Sequence, residues 1–260
     1  MPLITLTTDF GVSDHFVGVM KGVIATICPK ATILDITHDL PPYDVNEAAF
    51  VFEEARRWFP KKTIHVAVVD PGVGSTRRPL LIEAEGHTFI GPDNGIFSQV
   101  LRRGKAKARA ITNEKLFLKP TSKTFHGRDI FAPCAAHRAL GLPPARFGKL
   151  AGDALRLNIG ANMRISKRQW SGTILRVDRF GNLVTSFSVE EFPWLADRPF
   201  EFTIGFETIA KRASHFAECE PGELYAIVGS SGYLEIVQRE ASAAKRLGVV
   251  AGAPVELTGW

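Results

Sequence analysis

Runs that suit a covered β-strand alternate with runs that suit an amphipathic helix through the first half of the chain, and this rhythm limits the fold more than any other feature. Leu3-Ile4-Thr5-Leu6-Thr7-Thr8 reads as a strand, and residues 15–28 as a helix stopped by Pro29. Residues 31–36 read as a second strand. Residues 44–58 read as a second helix, with Asp44 placed to cap it and Pro60 beyond its end. Ile64-His65-Val66-Ala67-Val68-Val69 is mostly apolar, as expected of a strand in a sheet covered on both faces. Residues 80–84 and 87–90 predict a hairpin across Glu85-Gly86, and residues 129–140 a further helix with Asp129 as its cap. Strand–helix–strand repetition of this kind predicts a three-layer, Rossmann-like α/β domain.

The texture changes after Pro143-Pro144. Residues 172–178, 200–204, 224–228, 233–237 and 253–257 are short β-rich segments separated by turn residues. They predict a smaller all-β barrel domain. The boundary falls within residues 150–170, giving an α/β domain over 1–155 and a β-barrel domain over 165–260. A chain of 260 residues is long enough for each to bury its own core.

Composition excludes several classes. With 45% hydrophobic and 23% charged residues, the chain is not a disordered one. No run is long and apolar enough to span a bilayer, and Met1-Pro2-Leu3-Ile4-Thr5 does not open like a signal peptide, so a cytoplasmic protein without a membrane partner is expected. Cys28, Cys134 and Cys219 are scattered and in no metal-ligand spacing, which suits free thiols in a reducing compartment. Cys134 lies where a buried helix start is expected, not a nucleophile. The net charge of +5 raises the question of nucleic acid. The basic runs at residues 101–109 and 164–168 carry no interleaved aromatics and no DNA-binding motif, so they read as solvated faces.

Four loops join glycine to polar groups directly after strands, where open α/β sheets place their ligands. In Thr7-Thr8-Asp9-Phe10-Gly11-Val12-Ser13-Asp14, a strand-end carboxylate suits a ribose diol, or else caps the next helix. Val69-Asp70-Pro71-Gly72-Val73-Gly74-Ser75-Thr76-Arg77-Arg78 lacks the ending of a phosphate-binding loop. Asp70 there calls for a cation, from Arg77 or Arg78, either as a structural pair or as part of a site. Gly91-Pro92-Asp93-Asn94-Gly95 has the chemistry of a turn. His126, in Thr124-Phe125-His126-Gly127-Arg128-Asp129, is either an exposed loop imidazole or a proton-handling group. No His-Glu-x-x-His or comparable spacing is present, so no metal is expected.

These four loops and Asp178-Arg179-Phe180-Gly181-Asn182-Leu183, taken in order, resemble the S-adenosylmethionine hydroxide adenosyltransferase family, relatives of fluorinase and chlorinase. The resemblance spans essentially the whole chain. It implies hydrolysis of S-adenosyl-L-methionine to adenosine and L-methionine without a cofactor, in a homotrimer whose sites lie at subunit interfaces. It implies Asp70, Arg77 and His126 as the catalytic trio and Asp9 on the ribose hydroxyls, with Tyr43 packing near sugar and adenine. Asp14, Asp178, Asn182 and Ser231 would recognise the methionine amine and carboxylate, and the backbone of residues 238–240 the adenine edge. Arg239-Glu240 departs there from the family's asparagine- and glycine-containing stretch.

The chemistry asks for such a trio. A sulfonium leaves without a general acid, whereas water with a pKa of about 15.7 is a poor nucleophile at neutral pH. On this reading Arg77 stabilises developing hydroxide, Asp70 orients it, and His126 takes the proton. A halide-using adenosyl transferase is the alternative. Against it, the loop after Asp70 is short, and His126-Gly127 stands where halogenases carry tyrosine and serine. A non-catalytic S-adenosylmethionine-binding protein is the other alternative, and it would have no use for the trio.

Overall fold

The computed structural model describes residues 1–102 and 105–260, so Arg103 and Gly104 of the first basic run lie outside the described residues. Two compact units emerge, Met1–Leu157 and Asn158–Trp260.

The first unit is built on a six-stranded sheet in the order β2-β1-β3-β5-β4-β6. Its strands are β1 (Leu3–Thr8), β2 (Thr32–Thr37), β3 (Ile64–Val68), β4 (Pro79–Ala84), β5 (His87–Pro92) and β6 (Lys107–Ala110). β2, β1, β3 and β5 run parallel, and β4 is antiparallel to both β5 and β6. Helices α1 (Phe16–Ile27), α2 (Val45–Arg56), α3 (Ser98–Arg102) and α4 (Ala132–Ala139) complete the unit. Every residue of β3 is buried, as its apolar sequence requires. One core joins Ile4, Leu6, Val66 and Val68 to Met20 and Ile24 of α1 and Ala135 of α4. A second joins Ala67, Leu80, Ile82 and Phe89 to Ala48 and Phe52 of α2 and Val100 of α3. Successive strand residues thus point into different cores, the period of two expressed on both faces.

Local signals explain the element ends. The Asp44 carboxylate accepts from the Glu47 backbone N–H at 2.9 Å, capping α2. Glu85 and Gly86 both adopt positive φ, +50° and +83°, as a two-residue hairpin turn demands. Two expectations fail. The basic run contributes an edge strand, β6, whose Ala108 is buried, and not simply a solvated face. Asp129 does not cap its helix: a π-helical turn, Gly127–Phe131, precedes α4, and the Asp129 carboxylate instead accepts from the Ser122 backbone N–H at 2.7 Å. Cys134 is fully buried, and burial pushes its thiol pKa upward, away from nucleophilic use.

The second unit is a nearly closed, barrel-like antiparallel sheet with the path β11-β10-β14-β8-β9-β13-β12, β7 pairing with β8. Its strands are β7 (Met163–Arg164), β8 (Gln169–Val177), β9 (Leu183–Ser188), β10 (Phe200–Ile204), β11 (Glu207–Ile209), β12 (Leu224–Val228), β13 (Tyr233–Gln238) and β14 (Pro254–Gly259), with a short helix, α5 (Ala243–Leu247). Leu183, Phe187, Phe202, Ile236 and Leu257 fill its core. Among the described residues no helix is long and apolar enough to cross a membrane.

Candidate active site

Two neighbouring parallel strands deliver two carboxylates to one edge of the first sheet. Thr8 of β1 lies opposite Val68 of β3, so Asp9 and Asp70 emerge side by side just past the strand ends. β2 and β3 flank β1 on opposite sides, which puts the point where the chain's direction of winding reverses beside these residues.

The glycine-rich loop then doubles back. The Val73 N–H donates to the Asp70 carbonyl at 3.2 Å and the Ser75 N–H to the Gly72 carbonyl at 3.1 Å. The Ser75 hydroxyl donates to Gly72 O at 2.7 Å and accepts from the Arg77 N–H at 3.2 Å. These turns return Arg77 to Asp70 as a two-pronged pair, with Nε donating to Oδ1 at 3.0 Å and Nη2 to Oδ2. Their side chains are only 9% and 5% exposed, so the pair is desolvated and geometrically fixed. The Arg77 guanidinium also sits 5.3 Å from the Phe131 ring centroid. Arg78 turns elsewhere, to Asp93 at 2.6 Å and Asp153 at 2.9 Å. Gly74, at φ +79°, lets this loop touch the next one: a Cβ there would lie 2.3 Å from the Lys123 carbonyl oxygen.

His126 stands at the foot of the π-helical turn. The Asp129 carboxylate, bonded to Ser122 and paired with Arg128 at 2.6 Å, folds the preceding loop back on itself. Arg77 Nη2 lies 2.7 Å from His126 Nδ1. A guanidinium only donates, so Nδ1 accepts, and the hydrogen of the neutral ring is assigned to Nε2. Burial and then the Arg77 charge hold the His126 pKa below its usual value, against the opposing pull of Asp70 and Asp129. Arg77 Nη1 is buried and has no hydrogen-bond partner among the described residues.

A cavity of about 330 Å³ opens onto this file, lined by Asp9, Tyr43, Asp70 and His126, with Phe10, Phe16 and Phe125 as an apolar wall. The three phenylalanine rings pack edge-on or tilted, with centroids 5.1 to 6.0 Å apart. Arg77 is absent from the lining and stands behind Asp70 and His126. Asp9 Oδ2 accepts from the Tyr43 N–H at 2.9 Å, and Tyr43 itself is held at φ +69° with its ring largely exposed. Asp14 is exposed and does not line this cavity.

The remaining expected residues belong to the second unit. The Asp178 carboxylate is occupied by its own loop, accepting from Phe180 N–H at 2.8 Å, Asn182 N–H at 2.9 Å and Asn182 Nδ2 at 2.8 Å. Ser231 lies in the turn between β12 and β13. Asn182 and residues 238–242 line a cavity of about 650 Å³, together with Phe180 and Phe216. Two residues escape sequence reasoning. Asn94 donates to the Val69 carbonyl at 2.7 Å and so fixes the strand end that carries Asp70; its turn signal hid that role. The Glu235 carboxyl is pushed up by burial and by nearby Asp178, and only the barrel topology brings the two together. Among the described residues no group of three or more His, Cys, Asp or Glu side chains is arranged to hold a metal ion.

A strand-end carboxylate, a guanidinium and a neutral imidazole in one hydrogen-bonded file, beside a small cavity, define a class of enzyme in which fixed charges act on a small polar reactant. The chain belongs to the SAM hydroxide adenosyltransferase family: residues 4–148 match its N-terminal domain and residues 172–256 its C-terminal domain. A relative from Salinispora tropica, named (R)-S-adenosyl-L-methionine hydrolase, is 36% identical, covering 99% of this chain and 98% of its own. A protein from Nocardia brasiliensis named fluorinase is more distant, at 26% identity over 98% of this chain and 96% of its own. The crystal structure of an uncharacterized conserved protein from Thermotoga maritima superposes with a TM-score of 0.90 at 35% identity, covering 98% and 99% of the two chains.

Proposed function

We propose that this protein hydrolyses S-adenosyl-L-methionine to adenosine and L-methionine, with the oxygen of water attacking the ribose 5′ carbon in line with the departing sulfur. The observation that carries this reading is the Asp70–Arg77–His126 file bordering a cavity at the ends of β1 and β3. The name of the Salinispora relative supports it. A halide-using transferase is disfavoured by His126-Gly127 and by the short loop after Asp70.

In the step, a C–O bond forms as the C–S bond breaks, sulfur leaves as a neutral thioether, and one proton must leave the oxygen. The geometry argues against His126 as its first acceptor. The basic nitrogen of that ring, Nδ1, already accepts from Arg77, which leaves Nε2–H as a donor toward the cavity. The proton therefore goes to the Asp70 carboxylate, whose oxygens keep lone pairs beyond those Arg77 uses. His126 Nε2–H and the Arg77 charge behind it stabilise hydroxide character on the attacking oxygen. The rest is alignment, in which Asp9 binds the ribose hydroxyls and Tyr43 packs on the sugar and adenine.

On the same reading, residues 1–155 form a three-layer, Rossmann-like domain carrying the trio, and cores on both sheet faces support it. Residues 165–260 form the β-barrel domain, in which Asp178, Asn182 and Ser231 join Asp14 in binding the methionine amine and carboxylate, and residues 238–240 meet adenine. The assembly is a homotrimer with sites at subunit interfaces, working in the cytoplasm without a metal or other cofactor. The exposed Tyr43 on the cavity lining supports a covering partner.

Purified protein incubated with S-adenosyl-L-methionine is expected to release adenosine and methionine in equal amounts, with or without a chelator. Labelled water is expected to place its oxygen in adenosine. Ligand recovered unchanged would favour a binding protein, loss of product on chelation a metal enzyme, and label in methionine a different bond cleavage.

A further inference from the structure

The N-terminal ends of the same parallel strands border a second cavity, at the opposite edge of the sheet from Asp70. The five residues of β3 separate the two edges, about 16 Å at a strand's usual rise. This cavity has a volume of about 1030 Å³. Lys61, Lys62, Lys105, Lys107 and Arg138 reach it, against Glu83 and Glu85, so five cations less two anions leave +3. Glu85 is already committed, accepting from the buried guanidinium of Arg56 at 2.7 Å. The Lys61 ammonium donates to the Glu85 carbonyl at 2.6 Å. Lys62, Lys105, Lys107 and Arg138 have no side-chain hydrogen bond or ion pair among the described residues, and Glu83, opposite Lys107 across β4 and β6, offsets only part of their mutual repulsion.

Two independent features indicate that the charge is built in and not incidental. Arg138 Nε is buried without an acceptor among the described residues, although a buried guanidinium N–H ordinarily finds one. Lys62 sits at φ +71° in the turn closed by the Thr63 N–H on the Pro60 carbonyl at 3.3 Å, a position that favours glycine or asparagine. A lysine kept there against its backbone preference places an ammonium on the cavity rim at the expense of local strain.

We propose that this cavity binds a small molecule carrying a diphosphate or triphosphate group. A charge of about −3 to −4 on adjacent phosphates matches the +3 lining, and an arginine fork among lysines suits phosphate oxygens. Its volume exceeds what a single inorganic anion needs and falls at the upper end of small-ligand sites. A nucleic-acid strand is disfavoured, because among the described residues no Phe, Tyr or Trp lines the cavity to stack on bases. This proposal concerns binding alone and stands apart from what happens at Asp70.

The test is calorimetric titration of inorganic tripolyphosphate into the full-length protein at low ionic strength. Saturable binding is expected, one per chain, weakening as salt is raised. Lys62→Gly removes the ammonium while relaxing the turn, so it is expected to fold at least as well and bind about tenfold more weakly, the usual worth of one charge-assisted contact. Arg138→Gln is expected to weaken binding similarly. Lys123→Gln, an exposed position of the same unit that does not line this cavity, is expected to leave affinity within about twofold, because exposed charges beyond a screening length contribute little. Absence of saturable binding, or equal loss in Lys62→Gly and Lys123→Gln, overturns the proposal.

Discussion

The proton's route can be decided at His126 with two substitutions. Asparagine carries its Oδ1 at the same bond distance from Cβ as histidine carries Nδ1. His126→Asn therefore still offers the Arg77 guanidinium an acceptor where the native bond is 2.7 Å long. Alanine offers none, leaving a second nitrogen of a buried guanidinium poorly satisfied beside the orphaned Nη1. A hydrogen bond to a charged group contributes about 1.5–3 kcal/mol. At about 1.36 kcal/mol per factor of ten, His126→Asn should turn over about 10- to 150-fold faster than His126→Ala. If His126 were the base, neither side chain would take a proton at neutral pH, and both would lose the same 10²- to 10⁴-fold. Single-turnover release of adenosine from saturating substrate measures the chemical step directly. Equal rates in the two variants would refute the assignment of Nδ1 as an acceptor for Arg77 and restore His126 as the base.

Three further outcomes are expected. Because burial and Arg77 hold the His126 pKa below 6.5, kcat/KM should persist at pH 6.5 and fall only at lower pH, as protonation at Nδ1 expels the Arg77 contact; an acid limb centred above 6.5 would contradict this. Burial, with His87 and Arg56 nearby, lowers the His65 pKa to about 3, so its stabilising contribution is complete above pH 6.5 and lost as pH falls toward 3. By pH 4.5 that amounts to about 2.7 kcal/mol, at about 1.36 kcal/mol per pH unit, and urea unfolding of wild type and His65→Gln at pH 7 and 4.5 should show a smaller acid loss in the variant. Gly74→Ala should cost about 1–3 kcal/mol from its positive φ, with more from the clash at Lys123 O, and should lower turnover more than stability alone predicts; unchanged kinetics would mean that the two loops need not touch.

Much of this architecture is legible in the chain because local chemistry and tertiary demand agree. The Asp44 cap, the Glu85-Gly86 turn and the all-apolar third strand each state their structure in a few residues. The edge strand β6 was hidden because Lys107 and Arg109 alternate with small alanines, so charge masked a period of two. Asp129 reads as a cap until a π-helical turn, which no residue type announces, starts the helix two residues earlier. At the site, the need of Asp70 for a cation is readable from its place after a buried strand, but the choice of Arg77 over Arg78 is not. That choice depends on the double turn held by Ser75, and turns of this kind are fixed by the path of the chain more than by composition.

The two adjacent guanidiniums share out their duties by position alone, one bonded to Asp70 and His126 and the other clasping Asp93 and Asp153. Losing a single residue between Ser75 and Arg77 would bring Arg78 to the place from which Arg77 meets Asp70 and leave Asp93 and Asp153 without their clasp. Such a protein would keep an arginine on Asp70 at the expense of the loop's anchorage to Asp93 and Asp153. Length in this short stretch therefore matters as much as residue identity, and the Asp70 side of Ser75 offers no more room, because Gly74 abuts the Lys123 carbonyl and the Gly72 carbonyl holds Ser75.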